Sequence, residues 1–482
     1  MKSNHINIII VGAGLSGIGA ACHLVRKNPE KSYLILESRE ELGGTWSLFK
    51  YPGIRSDSDM YTFGYSFKTW DDAKSFADAP SILKYLNEAV DEYNVRDKIM
   101  YSQRAISYNF DSQTKLWNIT TKNTKTGEEN LYTSSFILSC SGYYTYDKGY
   151  TPTFKGQENF KGTIIHPQKW PENVNLNNKR VVIIGSGATA ITIVPEIAEI
   201  TNHVTMVQRS PTYIGALPNK DKIAGFIKNI FPKKTAHKLV RIKNVLLDMM
   251  FFNFCRAFPN TAKKFIIKGA KKALGDYPVD PHFTPDYNPW TQRFCLAPDG
   301  DFFKVIKQGK ASVETAHIDY FTKNGVQLQS GKHIEADTII TATGLNILPF
   351  GGVKISINKE PFNISKSFVY KGVMLSGLPN FFVFVGYTNA SWTLKSDLTS
   401  EYISRVLKFI DKNNYHTLEV TTNDNGLKPE PLLNLNSGYI LRSAHELPSQ
   451  GHKAPWRVYQ NYVLDYKMLR LDKVNDKYAI FS

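Results

Sequence analysis

Apolar residues run almost unbroken over 6–11, interrupted only by Asn7, and the spacing then turns helical over 18–26. A continuous apolar run feeding a 3.6-residue period predicts a buried parallel strand followed by an amphipathic helix. A second short apolar run occupies 33–36. The same strand-turn-helix pattern returns at 180–200, with an apolar strand over 181–184 and a partner strand over 204–207. Between the two units Pro152, Gly156, Gly162, Pro167 and Pro171 punctuate a stretch of little periodicity, which predicts a linker. After Tyr213 the spacing is helical as far as Leu274, and Pro278, Pro281, Pro285 and Pro289 then break it. Apolar runs over 338–342, 381–385 and 398–409 resume the β/α alternation, so the chain should return to close the first sheet. The pattern as a whole predicts an α/β fold of two Rossmann-like dinucleotide-binding units with a helical insertion.

The turns of the two units carry the chemistry. Gly12-Ala13-Gly14-Leu15-Ser16-Gly17 follows the first strand. Gly12 allows a tight turn, Gly14 lets the backbone approach a pyrophosphate, and Gly17 permits close helix-strand packing, with the helix N-terminus facing the anion. Glu37 closes the next strand, about 20 residues after the last glycine, where a carboxylate accepts ribose hydroxyls. The second turn, Gly185-Ser186-Gly187-Ala188-Thr189-Ala190, has alanine at the third position, and its partner strand ends in Gln208-Arg209-Ser210 instead of an acid. A guanidinium grips a 2'-phosphate that a carboxylate would repel. At about 4 Å and an effective dielectric near 20, that exchange is worth several kcal/mol. The second nucleotide is therefore read as NADPH and the first as a bound FAD. Ala342-Thr343-Gly344 marks the segment returning to the flavin half. The predicted division is 1–145 and 346–482 for FAD, 146–214 and 292–345 for NADP, and 215–291 for the insertion.

Charge adds one feature to this picture. The net charge is +16, and residues 220–272 carry fourteen Lys/Arg against only Asp221 and Asp248, a net of +12. Phe226, Ile230, Phe231 and Leu239 interleave with these basic residues. Two readings stay open: a solvated face of the insertion, or a surface resting on an anionic membrane. No nucleic-acid partner is expected. The longest apolar stretch, 245–255, is broken by Asp248 and Asn253 and is too short to span a bilayer. Cys22, Cys140, Cys255 and Cys295 lie far apart and read as reduced thiols of a cytoplasmic protein, with no metal site. No secretion signal opens the chain.

A reduced flavin needs an acceptor. Disulfide reductases share the two-nucleotide layout but need a dithiol, and no cysteine here has a neighbour in sequence, which leaves oxygen. Phe160-Lys161-Gly162-Thr163-Ile164-Ile165-His166-Pro167-Gln168-Lys169-Trp170-Pro171 fits F-x-G-x-x-x-H-x-x-x-W-P, and Gly43-Gly44-Thr45-Trp46 precedes Tyr51-Pro52-Gly53-Ile54-Arg55-Ser56-Asp57. On these motifs the chain resembles the Baeyer-Villiger monooxygenases, class B flavoprotein monooxygenases. Stretches at 51–62, 142–144, 208–213, 287–293, 340–346 and 386–395 are similar to a mycobacterial prodrug-activating branch of that family.

The resemblance implies roles. Arg293 would stabilise a negatively charged C4a-peroxyflavin, and Asp57 would orient that arginine. Ser16, Thr45, Trp46, Ser47, Leu48 and Ala105 would join Gly12, Gly14, Gly17, Glu37 and Asp57 around FAD. Arg55, Ser56 and Asp57 would lie where nicotinamide meets flavin, with Gly185, Ser186, Gly187, Ala188, Thr189, Ala190, Arg209 and Ser210 on NADP. By residue type alone Arg293 reads first as a salt-bridge arginine, His166 first as a packed linker histidine, and Trp46 and Trp170 first as packing aromatics, while Asp57 reads equally as a buried turn residue. Gln292 stands where many ketone-oxidising members carry a lysine, which shifts the NADPH grip to Arg209 and Ser210. The implied reaction inserts one oxygen atom of O2 next to a ketone carbonyl to give an ester or lactone, with sulfoxidation beside it. Oxygenation of thioethers, thioamides or amines is the alternative, and an NADPH reductase or peroxide-forming oxidase remains a rival.

Overall fold

The strand His5–Val11 runs through the middle of an eleven-stranded sheet, parallel to Tyr33–Leu36 on one side and Glu129–Ser139 on the other. Ile8, Ile9 and Ile10 are fully buried. Both faces of this strand are covered, which is why its sequence is a continuous apolar run and does not alternate. The computed structural model describes residues 5–292, 294–422, 426–433 and 437–482. Gln103–Asp111 and Leu116–Asn123 extend the sheet as an antiparallel meander from Glu129–Ser139. Phe381–Val383 returns from the far end of the chain to pair with Glu129–Ser139, with Phe382 opposite Leu138. The apolar run at 398–409 lies inside the helix Trp392–Lys412, which packs on the first loop's helix, Leu15–Lys27.

A second, five-stranded sheet is parallel throughout, in the order Ala311–Thr315, His203–Gln208, Arg180–Ile184, Thr338–Thr341, Thr163–Ile165. Its last strand lies within the stretch predicted to be a linker. Only three residues fit between Gly162 and His166, too few for a period to register, yet Ile165 is buried against the sheet.

Ile214–Leu217 pairs in parallel with Cys295–Pro298, and three helices stand between them: Lys222–Ile230, Lys233–Ala257 and Pro259–Leu274. Asp221 caps the first by accepting the Ala224 N–H, Pro259 opens the third, and Gly275 ends it. Arg241 of the middle helix fastens the insertion to the first sheet's half. Its guanidinium donates to the carbonyls of Tyr61 and Gly64, both at 2.7 Å, and pairs with buried Asp397 at 3.0 Å. Burial disfavours the Asp397 carboxylate, but His23, Arg241 and the Ser66 N–H together hold its pKa below the ordinary value. Among the described residues, no helix is long and apolar enough to cross a membrane.

Candidate active site

A cavity of about 580 Å3 opens at the carboxyl end of the first sheet's parallel strands. Gly12 starts its floor at φ +103°, and a side-chain carbon there would lie 2.6 Å from the Cys140 carbonyl oxygen. One at Gly17 would lie 1.9 Å from the Gly12 carbonyl, so the helix sits hard against the turn. Gly14 caps that helix and faces the cavity. Glu37 is only 4% exposed and lines the same wall. One of its carboxylate oxygens accepts the Ala13 N–H at 2.7 Å and the other the Arg39 N–H at 2.9 Å. The second of these, Oε1, also accepts from the Ser38 hydroxyl at 3.3 Å, and Oε2 keeps a further lone pair for a ribose hydroxyl.

Most of the residues assigned to FAD from sequence are brought together here. Gly12, Gly14, Ser16, Glu37, Thr45, Trp46, Leu48, Asp57 and Ala105 all line the cavity. Gly17 packs beneath it, and Ser47 is fully buried outside it. The Ser47 hydroxyl instead accepts from the Arg39 guanidinium at 2.6 Å, and the same guanidinium donates to the Gly44 carbonyl, locking the 43–47 turn. The remaining wall comes from Arg39, Gln103, Tyr143, Phe350, Phe384 and Trp392, which the motifs did not single out. Trp392 stacks on Tyr143, with ring centroids 5.3 Å apart, and donates its indole N–H to Ser16 Oγ at 2.9 Å. Ser141 Oγ is buried at this wall with no protein partner among the described residues. A glycine cradle, a pinned carboxylate and an unpartnered hydroxyl fit a flavin dinucleotide.

The second loop repeats the plan. Gly185 sits at φ +137°, against the Ala342 carbonyl, and Gly187 caps the helix Ala188–Ile197 with no described atom within 4 Å of where its side chain would begin. Ala190, in the third position, is fully buried. Ser186 Oγ donates to the Ser210 carbonyl at 3.0 Å, tying the loop to the end of the partner strand. Arg209, just past His203–Gln208, is exposed and forms no ion pair with a described residue.

The 51–57 segment spans both loops. Its Tyr51 ring packs against the second half's core with the hydroxyl towards Thr189 of the second loop, and burial pushes the phenol up to about 12. Gly53 lies against Glu196 of the second loop's helix, while Ser56 and Asp57 line the first cavity. Asp57 is exposed to that cavity and is not the buried turn residue that its type alone suggested. Arg55 stays outside the cavity wall and pairs with Asp301 at the start of a helix of the second half, leaving Nη2 buried with no partner among the described residues. Arg293 lies outside the described residues. Its neighbours are fixed: Phe294 stacks on Trp290 at 5.9 Å and meets Phe251 of the insertion edge-on at 5.7 Å. His166 packs in its linker, its Nδ1 accepting the Gln168 N–H while Nε2 meets the Gly344 carbonyl at 3.2 Å. Burial holds its pKa below the ordinary value. All four cysteines are buried, and no two of them form a disulfide.

Comparison with known proteins agrees with this construction. Residues 5–241 match the family described as flavin-binding monooxygenase-like. Over 482 residues, all of the chain, it is 46% identical to the FAD-containing monooxygenase EthA of Mycolicibacterium smegmatis, covering 98% of that protein. The EthA of Mycobacterium tuberculosis is 45% identical over 482 residues, again 98% of that protein. An oxidised steroid monooxygenase bound to NADP shares the fold with a TM-score of 0.72 at 22% identity, over 87% of this chain and 88% of the other. An open cyclohexanone monooxygenase does so with a TM-score of 0.71 at 21% identity, over 87% and 90%.

Proposed function

The chain belongs to the FAD-containing flavin monooxygenases, and from that premise we propose that it inserts one oxygen atom of O2 next to a ketone carbonyl, giving an ester or lactone. Its cofactors are FAD and NADPH. Each turnover consumes one O2, one NADPH and a proton, and releases NADP+ and water with the oxygenated product. Bound FAD supplies the activation of O2, with two electrons drawn from NADPH.

The observation that carries the reading is the 51–57 segment, which touches the second loop through Tyr51 and Gly53 and lines the first cavity through Asp57. A segment so placed sets the two nucleotides in one register. Around it the chain divides the work. Gly12, Gly14 and the helix N-terminus hold a pyrophosphate, and Glu37 the ribose. Arg209 and Ser210 hold the 2'-phosphate. Arg293 would supply a permanent positive charge to the negative charge that develops during O2 activation, since a guanidinium does not titrate at neutral pH. Asp57 orients it.

An apolar recess of about 50 Å3 adjoins the cavity and gives a substrate held there hydrocarbon contacts. It shares Tyr143, Phe350, Phe384 and Trp392 with the cavity and is closed by Ile440 and Leu447. Apolar walls of this kind suit a ketone carrying hydrocarbon groups, the class named in the cyclohexanone monooxygenase that shares the fold. Gln292, in place of the lysine of many ketone oxidisers, sets this chain apart from their ketone spectrum, and oxygenation of sulfur in thioethers or thioamides is the second reading. Turnover of a phenyl ketone and an aryl sulfide under 18O2 tests both. One labelled oxygen in the ester supports the main reading, and label in the sulfoxide alone supports the second. Consumption of NADPH with only peroxide formed, for every substrate, would overturn both.

A further inference from the structure

The insertion carries its apolar residues on the solvent side. In Lys222–Ile230 the exposed residues include Ile223, Phe226 and Ile230, and in Lys233–Ala257 they include Leu239, Ile242, Leu246 and Met250. Steps of three and four place each set along one stripe of its helix. Phe226 is 67% exposed and Met250 66%. The inward stripe of the longer helix holds Arg241 and Asn244 beside Val240 and Val245, so a charged group faces in while leucine, isoleucine and methionine face out. The two helices pack on each other, and Phe258 and Phe265 add exposed rings at the third. An apolar surface of this extent on a water-soluble domain marks a contact face. Its basic members are free to act: Lys222, Lys234 and Lys238 are exposed and form no ion pair with a described residue.

We propose that this face docks the enzyme on an anionic lipid bilayer, with the apolar stripes entering the boundary between headgroups and acyl chains and the lysines meeting lipid phosphates. Charge selects this occupant over a second copy of the chain. The face belongs to a segment of net +12, and a two-fold contact would set that charge against itself. No described helix can span the bilayer, so the association is peripheral. The face is continuous with the active-site loop, because Phe251 and Phe252 of the same long helix contact Phe294 and Trp290 on either side of position 293.

The test is flotation of the holoenzyme with vesicles of phosphatidylcholine, alone or with about a third phosphatidylglycerol. The enzyme should rise with the mixed vesicles at low salt, lose affinity by about tenfold or more at high salt, and bind the neutral vesicles weakly. The double variant Phe226→Glu, Met250→Glu should abolish flotation, and Lys222→Glu, Lys234→Glu, Lys238→Glu together should lower affinity by about tenfold or more. Unchanged FAD absorbance and NADPH oxidation in both variants show that the fold is intact. Absence of flotation with mixed vesicles overturns the proposal, as does equal flotation of wild type and variants. Self-association in sedimentation velocity that both variants disrupt, without vesicle binding, assigns the face to a second copy instead. None of these outcomes touches the oxygenation reading, since turnover of soluble substrates needs no vesicle.

Discussion

The two phosphate loops share a backbone plan and part company at the ribose. In each, a glycine at positive φ is pressed against a carbonyl of a neighbouring strand, Cys140 for Gly12 and Ala342 for Gly185. Each loop then starts a helix at its second glycine. The first ends in a buried carboxylate pinned by two backbone N–H groups, inside a cavity walled by distant parts of the chain, among them 103–108, 140–147, 348–351 and 384–392. The second ends in an exposed guanidinium. A buried, pre-oriented acceptor suits a nucleotide that stays through every turnover. An exposed cation suits one that arrives as NADPH and leaves as NADP+. On the proposed assignment, one loop plan serves a resident and a visiting cofactor, and the surroundings decide which is which.

Paired substitutions at the two glycines break the comparison most severely. Gly12→Val puts a branched side chain at φ +103° within 2.6 Å of backbone. The purified protein should lack the flavin absorbance, with all activity lost. Gly185→Val meets the Ala342 carbonyl in the same way, yet it should keep its FAD and lose only reduction by NADPH, while chemically reduced enzyme still consumes O2. Loss of FAD from both variants would mean that the two loops are one cooperative unit. Arg293→Ala comes next. It belongs to neither loop, so bound FAD and NADPH affinity should survive while oxygenated product falls by about 100-fold or more, the scale of losing one charge-stabilising group. Product at near the wild-type rate would remove Arg293 from the chemistry.

How much of this was legible in the sequence divides along the same line. Both loops are local, so strand, glycine spacing, helix and terminal charge could be read in order from His5 to Glu37 and from Arg180 to Ser210. The cavity wall is not local. Trp392 reaches Ser16 across 376 positions, and nothing near Trp392 in sequence announces that partner. Ser47 shows the opposite failure. It lies within a recognisable motif, but the Arg39 guanidinium draws its hydroxyl away from the cavity. The strand Thr163–Ile165 was hidden by its brevity, and the meander strand Leu116–Asn123 by a polar face that looks like loop although Trp117, Ile119 and Thr121 all point inward. Only the insertion exceeded its sequence signal, since exposure of its apolar stripes depends on which face Arg241 anchors.

Arg209 gives a smaller effect, confined to one cofactor. Arg209→Ala should raise KM for NADPH about tenfold, the lower end of a charge-assisted hydrogen bond at an exposed site, with kcat nearly unchanged. The KM for NADH should barely move, because NADH lacks the 2'-phosphate. Steady-state kinetics with both cofactors checks this, and an equal loss with each would place Arg209 outside the phosphate site. The first loop offers no such graded change, because Glu37 is part of the turn itself through Ala13 and Arg39.

The mildest test addresses the bridge between the loops. At neutral pH the Tyr51 phenol stays protonated, because burial pushes it up to about 12, and its hydroxyl faces the Thr189 side chain. Tyr51→Phe removes that one polar contact while keeping the ring, a change on the scale of about 1 kcal/mol. If the 51–57 segment serves to register the two nucleotides, anaerobic reduction of FAD by NADPH should slow about fivefold. FAD content and the reaction of reduced enzyme with O2 should not change, since neither needs the second loop. A variant that reacts more slowly with O2, yet is reduced at the normal rate, would show that the segment acts on the flavin side alone and that the two loops are held in register by other contacts.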